Sequence, residues 1–136
     1  YGPWPAFENL IKYVDLVLFD IKHMDSETHR QATGHGNELI LDNFRKIAHS
    51  KRIWMRYPMI PGFNDEEKNL IRLGALGVET KVDKLSILPF HTLSEEKYQL
   101  LDRPNTLNNA SPPEISQVRE VKKFLEGFGL KVAVGE

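Results

Sequence analysis

A carboxylate, a lysine and a histidine stand where apolar runs end, and an arginine lies within one of the runs. Asp20-Ile21-Lys22 closes the first run, and alternation along an extended chain sends Asp20 and Lys22 to the same side. Neither residue type is left buried and unpaired in folded proteins. Arg56 lies among Trp54, Tyr57, Met59 and Ile60, where a charge requires a partner or a bound anion. His91 follows Leu88-Pro89-Phe90. Two chemistries fit this set. Asp20 pairs with Lys22 or Arg56 while His91 caps a loop, or the cations and the histidine share a pocket for an anionic or zwitterionic ligand. His23, His29 and His35 are spread through one loop without the carboxylate or cysteine spacing of a metal site, and they read as solvated loop histidines. Trp54 reads as core filler, and Glu95-Glu96-Lys97 as a solvated helix start.

The elements that must carry these residues alternate between strand and helix. Val14 to Asp20, Arg52 to Ile60, Lys84 to Phe90 and the short Leu130 to Val134 are near-continuous apolar runs, the pattern of parallel strands covered on both faces. Glu38 to Ser50 reads as a crossover helix, with Leu39, Ile40, Phe44, Ile47 and Ala48 at helical spacing. Asn64 with Glu67 predicts the N-cap of a second helix, whose Leu70, Leu73 and Leu76 stripe ends at Gly77. Ser111-Pro112-Pro113-Glu114 predicts a capping box before a third helix lined by Ile115, Val118, Val121, Leu125 and Phe128.

The expected class is therefore α/β, a parallel sheet with outer helices forming a single domain over residues 1–136. The connections His23 to Asn37 and His91 to Ser111 are longer than the usual few residues. Both leave the C-terminal ends of strands, where parallel sheets place their ligand sites.

Composition narrows the function. Eighteen Lys plus Arg against nineteen Asp plus Glu leave a net charge of -1, which removes the electrostatic case for a nucleic-acid or membrane binder. No apolar run approaches the length of a bilayer span and no signal peptide is evident, so a soluble, cytoplasmic protein is expected. Zero Cys excludes disulfides, a thiolate nucleophile and an iron–sulfur cluster held within this chain.

The longer strings are specific. Tyr13-Val14-Asp15-Leu16-Val17-Leu18-Phe19-Asp20-Ile21-Lys22-His23-Met24-Asp25, Thr33-Gly34 and Asn37-Glu38-Leu39-Ile40-Leu41-Asp42-Asn43 come first in the chain. Arg56-Tyr57, Ile60-Pro61-Gly62-Phe63-Asn64, Leu88-Pro89-Phe90-His91 and Lys97-Tyr98 follow. In this order and spacing the chain resembles the glycyl-radical-enzyme activating enzymes, radical S-adenosylmethionine (SAM) proteins of the pyruvate formate-lyase activating type. The resemblance covers almost the whole chain and is to the C-terminal half of that family.

It implies the second half of a partial (β/α)6 radical SAM barrel, with barrel strands four to six at Val14, Arg52 and Lys84. The CxxxCxxC loop and the glycine-rich SAM loop belong to the half that precedes these strands. Neither motif is present, nor an initiator Met, so an excised or truncated second half that is inactive by itself is expected. By resemblance, Lys22, Arg56 and His91 contact SAM, and Asp20 belongs to a nearby monovalent-cation or polar site. None of them would ligate iron.

The implied parent holds SAM and a [4Fe-4S] cluster, draws electrons from a donor such as flavodoxin or ferredoxin, and takes hydrogen from a glycine of a partner glycyl radical enzyme. A non-redox α/β ligand- or protein-binding module using the same strand-end pocket is the alternative. Ser94 and Asp102 stand where relatives often have Gly. A strand Val14 to Asp20 without an upstream neighbour would present an open edge and favour self-association.

Overall fold

The computed structural model describes residues 1–91 and 110–135. Ser94, Glu95-Glu96-Lys97, Lys97-Tyr98 and Asp102 lie outside the described residues.

The chain runs α1 (Trp4–Ile11), β1 (Leu16–Asp20), α2 (Ser26–Thr33), α3 (Glu38–Ala48), β2 (Arg52–Met59), α4 (Glu67–Glu79), β3 (Lys84–Pro89), α5 (Ile115–Glu126) and β4 (Val132–Val134). The four strands form one sheet in sequence order, and every pairing is parallel. Leu18 faces Trp54 and Trp54 faces Lys84, while Asp20, Arg56, Ser86 and Ala133 form one row across the sheet.

One face of the sheet carries the core. Ile53, Met55, Tyr57 and Met59 alternate inward along β2 and meet Leu85 and Ile87 of β3, Phe44 and Ile47 of α3, Leu73 and Leu76 of α4 and Leu125 of α5. Gly74 and Gly77 let α4 approach closely, since a Cβ at Gly74 would lie 2.8 Å from the Phe128 ring and one at Gly77 2.9 Å from Leu130. The apolar runs predict strands covered on both faces, but among the described residues no helix covers the other face. Trp54 and Arg56 are half-buried there and Leu18 is 50% exposed. Trp54 is thus a sheet-face residue, with the Lys84 ammonium 3.7 Å from its ring centroid, rather than core filler.

Helix boundaries depart from the expected ones for local reasons. Pro3 precedes α1 and Pro5 sits in its first turn, where a missing N–H costs nothing; Trp4, Phe7 and Ile11 then pack on the core. The stretch from His23 to Asn37 is largely helix. Asp25 caps α2 by accepting from the Thr28 N–H at 2.9 Å, and Gly34 ends it in the left-handed conformation. Glu114 is extended and takes the cap position, with Gln117 as its reciprocal partner, so α5 begins only after it and Ser111 is left outside. Asn64 is not the cap of α4 either. Glu66 takes that position, and Asn64 is fully buried.

β1 is an edge strand. The Tyr1–Tyr13 segment does not pair with it; α1 packs against α3 instead. No helix among the described residues is long and apolar enough to cross a membrane.

Candidate functional site at the strand ends

The C-terminal ends of β1 and β2 are tied together by side-chain amides. Asn64 Nδ2 donates to the carbonyls of Lys22 at 2.9 Å and Pro58 at 2.7 Å. Its Oδ1 accepts from the Ile60 N–H at 2.9 Å and the Tyr57 hydroxyl at 3.1 Å. In a parallel strand the N–H and C=O of one residue point to the same side, so the missing N–H of Pro58 faces the place where β1 has ended. A proline is tolerable in this central strand because Asn64 there replaces the ladder.

Asn69 continues the network. It accepts from the Met24 N–H at 2.8 Å and donates to the Asn64 carbonyl at 2.6 Å, and Asn37 donates to the His23 carbonyl at 2.9 Å. The turn after β1, which presents Lys22, is thereby fixed by three buried asparagines.

The predicted site residues fall as follows. Arg56 Nε donates to Asp20 Oδ1 at 2.7 Å, so the pairing on neighbouring strands is Asp20 with Arg56 rather than with Lys22. Both side chains remain partly exposed, at 26% for Arg56 and 36% for Asp20, on the face away from the core. Lys22 is exposed beyond the end of β1, and with Asp20 it borders a cavity of about 330 Å³. His91 is exposed just past Phe90, whose N–H donates to the Met59 carbonyl at 2.9 Å. The cavity unites Asp20 and Lys22; Arg56 joins them through its ion pair, and His91 lies at the end of the next strand. The arrangement offers ammonium and guanidinium donors beside a carboxylate, suited to a carboxylate or to paired hydroxyls.

The loop histidines are not solvated as a set. His23 and His29 are 2% and 4% exposed. His23 Nδ1 accepts from the Asp25 N–H at 2.9 Å, while His29 Nδ1 lies 2.6 Å from the His35 carbonyl. They are structural, and no group of three metal-ligating side chains occurs among the described residues. The groups whose acidity moves also serve structure. Thr28 N–H and hydroxyl donors hold the Asp25 carboxyl below its ordinary range, the Ser26 hydroxyl does the same for Glu38, and burial pushes the Tyr57 phenol up.

The chain is 37% identical over 130 residues to the pyruvate formate-lyase-activating enzyme of Staphylococcus epidermidis, covering 94% of this chain and 51% of that protein. It is 37% identical over 121 residues to the enzyme of the same name from Streptococcus mutans, covering 88% and 46%. The chain is similar over nearly its whole length to pyruvate formate-lyase-activating enzymes. It spans about half the length of the curated relatives it matches. No protein-family model matches it.

Solved structures agree on the fold. A domain of pyruvate-formate lyase-activating enzyme from Bacteroides vulgatus superposes with a TM-score of 0.79 at 24% identity, covering 97% of this chain and 74% of that one. A radical SAM methyltransferase from Sphaerobacter thermophilus gives 0.69 at 17% identity, covering 98% and 38%. The parallel α/β fold is thus shared with these two structures. Asn64, Asn69 and Asn37, which hold the strand ends, are not recognisable as site-forming residues from their types and spacing. The one signal is Asn64 directly after Pro61-Gly62-Phe63, where a turn brings it back over the strand it follows.

Proposed function

We propose that this chain is the ligand-orienting portion of a glycyl-radical-enzyme activating enzyme, an oxidoreductase in its full-length form. SAM and a [4Fe-4S] cluster would supply the chemistry when bound: reductive cleavage to a 5′-deoxyadenosyl radical that takes hydrogen from a glycine of a pyruvate formate-lyase-like partner. With no Cys in the chain, the cluster ligands would come from outside it. An electron donor of the flavodoxin or ferredoxin type would reduce the cluster.

The donor set present suits the other cofactor. Lys22 and Arg56 can bind the carboxylate or hydroxyls of SAM, and His91 can donate or accept a hydrogen bond at its polar end. Asp20 fixes the guanidinium through Nε and so orients it. That register-matched ion pair, which joins the C-terminal end of β1 beside Lys22 to Arg56 within β2, carries the reading. A sheet needing only structural closure would gain little from charged side chains at that place.

The test is SAM affinity and 5′-deoxyadenosine formation in the full-length protein. Lys22→Ala and Arg56→Ala each remove a hydrogen bond to a charged group and should weaken binding or slow cleavage by roughly 10- to 100-fold. His91→Ala should have a smaller effect in the same direction. Iron content and cluster absorbance should match the wild type in all three. Wild-type SAM affinity and cleavage in every variant would overturn the assignment.

A further inference from the structure

A second cavity, of about 170 Å³, opens between the starts of α2 and α4, and it shares no lining residue with the one that Asp20 and Lys22 border. Its walls are polar throughout. Asp25 and Thr28 come from the cap and first turn of α2, and Glu66, Lys68 and Arg72 from the cap and first two turns of α4. His23, in the turn between β1 and α2, completes them at 2% exposure.

The structural bond of His23 uses one ring nitrogen only. Nδ1 accepts from the Asp25 N–H at 2.9 Å, whereas Nε2 has no partner among the described residues. Nor is Nε2 sealed in, because Asn43 Oδ1 is the one enclosed side-chain atom of the described residues that lacks a partner. A buried ring therefore reaches open space at a single atom, through the cavity that it lines.

The charges around that atom are unevenly committed. Asp25 Oδ1 already accepts from the N–H and the hydroxyl of Thr28, each at 2.9 Å. Lys68 and Arg72, at i,i+4 spacing on α4, are exposed and enter no ion pair with a described residue, although the Arg72 charge is felt at the Asp25 carboxyl. Both helices begin at this cavity, so the positive ends of their dipoles meet there.

We propose that this cavity is an oxyanion site, separate from the ligand cavity at the end of β1, which takes one small carboxylate or phosphate group on His23 Nε2, Arg72 and Lys68. In a neutral imidazole one nitrogen accepts and the other donates, so acceptance at Nδ1 makes Nε2 the donor. Other occupants fit less well. A cation would face that donor and two positive side chains, and no group of three metal-ligating side chains occurs among the described residues. An apolar ligand would find no apolar wall. A nucleotide is too large, since pockets for ligands of that order run to about 300–1,000 Å³. The carboxylates of Asp25 and Glu66 offset part of the positive charge, and so they limit how tightly the anion is held.

Nothing in this inference depends on the activase reading. Titration of the full-length protein with inorganic phosphate, and separately with acetate, tests it by calorimetry and by the NMR nitrogen shifts of the histidine rings. The His23 Nε2 signal should move saturably with at least one of the two anions, and which one does so names the group preferred. Arg72→Gln should weaken that binding roughly tenfold, as loss of a hydrogen bond to a charged group does. His23→Phe should abolish it, and His23→Gln, which keeps a donor, should restore part of it. Asp25→Asn keeps the cap but removes a negative charge, and should tighten binding. Lys22→Ala should leave it unchanged even where SAM cleavage fails, a result that would count against the activase reading alone. If His23→Phe does not fold, Arg72→Gln on the exposed face of α4 decides. No saturable shift at His23 with either anion, binding indifferent to Arg72→Gln, or binding lost in Lys22→Ala overturns the proposal.

Discussion

On β2 the residues Ile53, Met55, Tyr57 and Met59 are at most 2% exposed, whereas Trp54 and Arg56, interleaved with them, are half-buried. One strand therefore serves two masters: packing on the side of α3, α4 and α5, and polar chemistry on the side that holds Asp20, Arg56 and Lys84. The strand-end network lies across this division. Asn64 is as deeply buried as the core, yet it hydrogen-bonds the backbone of the turn that presents Lys22. The two faces should therefore respond differently to mutation, the first in stability and the second in ligand binding.

The largest stability effect is expected at Phe44, which is fully buried and meets Phe19 edge-on at 5.1 Å. Phe44→Ala should cost about 3–5 kcal/mol, as truncation of a packed core aromatic does. Trp54→Ala, on the open face, should cost about 1 kcal/mol, the scale of an exposed cation–π contact. Equilibrium unfolding of the two variants measures the contrast, and equal losses would erase the distinction between the faces.

A smaller but more informative loss is expected from Asn64→Ala. It would strip partners from the Lys22 and Pro58 carbonyls, the Ile60 N–H and one Tyr57 hydroxyl contact. The Tyr57 hydroxyl also donates to the Asn64 carbonyl at 2.9 Å, so that contact survives the change. A cost of roughly 2–4 kcal/mol is expected. In the full-length protein SAM binding should weaken as well, because the turn carrying Lys22 loses its anchor. Phe44→Ala, at a temperature where it remains folded, should spare binding. A variant at Asn64 that loses stability but binds SAM normally would show that the amide network does not position Lys22.

How much of this was legible from the residues follows the same division. The strands and crossover helices were readable because runs such as Arg52 to Ile60 and the Leu70, Leu73, Leu76 stripe repeat at the period of their element. The position of Asp20 at the end of β1 and of Arg56 within β2 followed from those runs. The open face was not readable. Trp54 and Met55 are both apolar, and only the placement of the helices tells which side is covered. The asparagines escaped because a polar residue after Pro-Gly reads as a cap or a turn, and its burial depends on contacts 42 residues away, as from Asn64 to the Lys22 carbonyl. The α2 helix was missed because its sequence, SETHRQAT, carries no apolar stripe; its cap at Asp25 and its stop at Gly34 were the signals present.

The smallest expected effect lies on the helix side, at that cap. Asp25 Oδ1 accepts from the Thr28 N–H and the Thr28 hydroxyl, each at 2.9 Å, and these donors favour the ionised carboxylate. A carboxyl whose folded pKa lies below its unfolded value contributes stability that is present above the unfolded pKa and disappears as pH falls through the folded one. Wild type and Asp25→Ala should therefore differ most near neutral pH, and the difference should shrink as the solution is acidified below the ordinary carboxylate range. Asp25 is partly exposed, so salt and water screen the charge and the loss should be smaller than those at Phe44 and Asn64. The measurement is melting temperature against pH for the two proteins. Asp25→Asn sharpens it, since asparagine caps a helix without titrating: its stability should track Asp25→Ala in pH dependence but lie above it throughout. A gap between wild type and Asp25→Asn that widened on acidification would mean that the charged form is disfavoured in the folded protein, the reverse of what the Thr28 donors require.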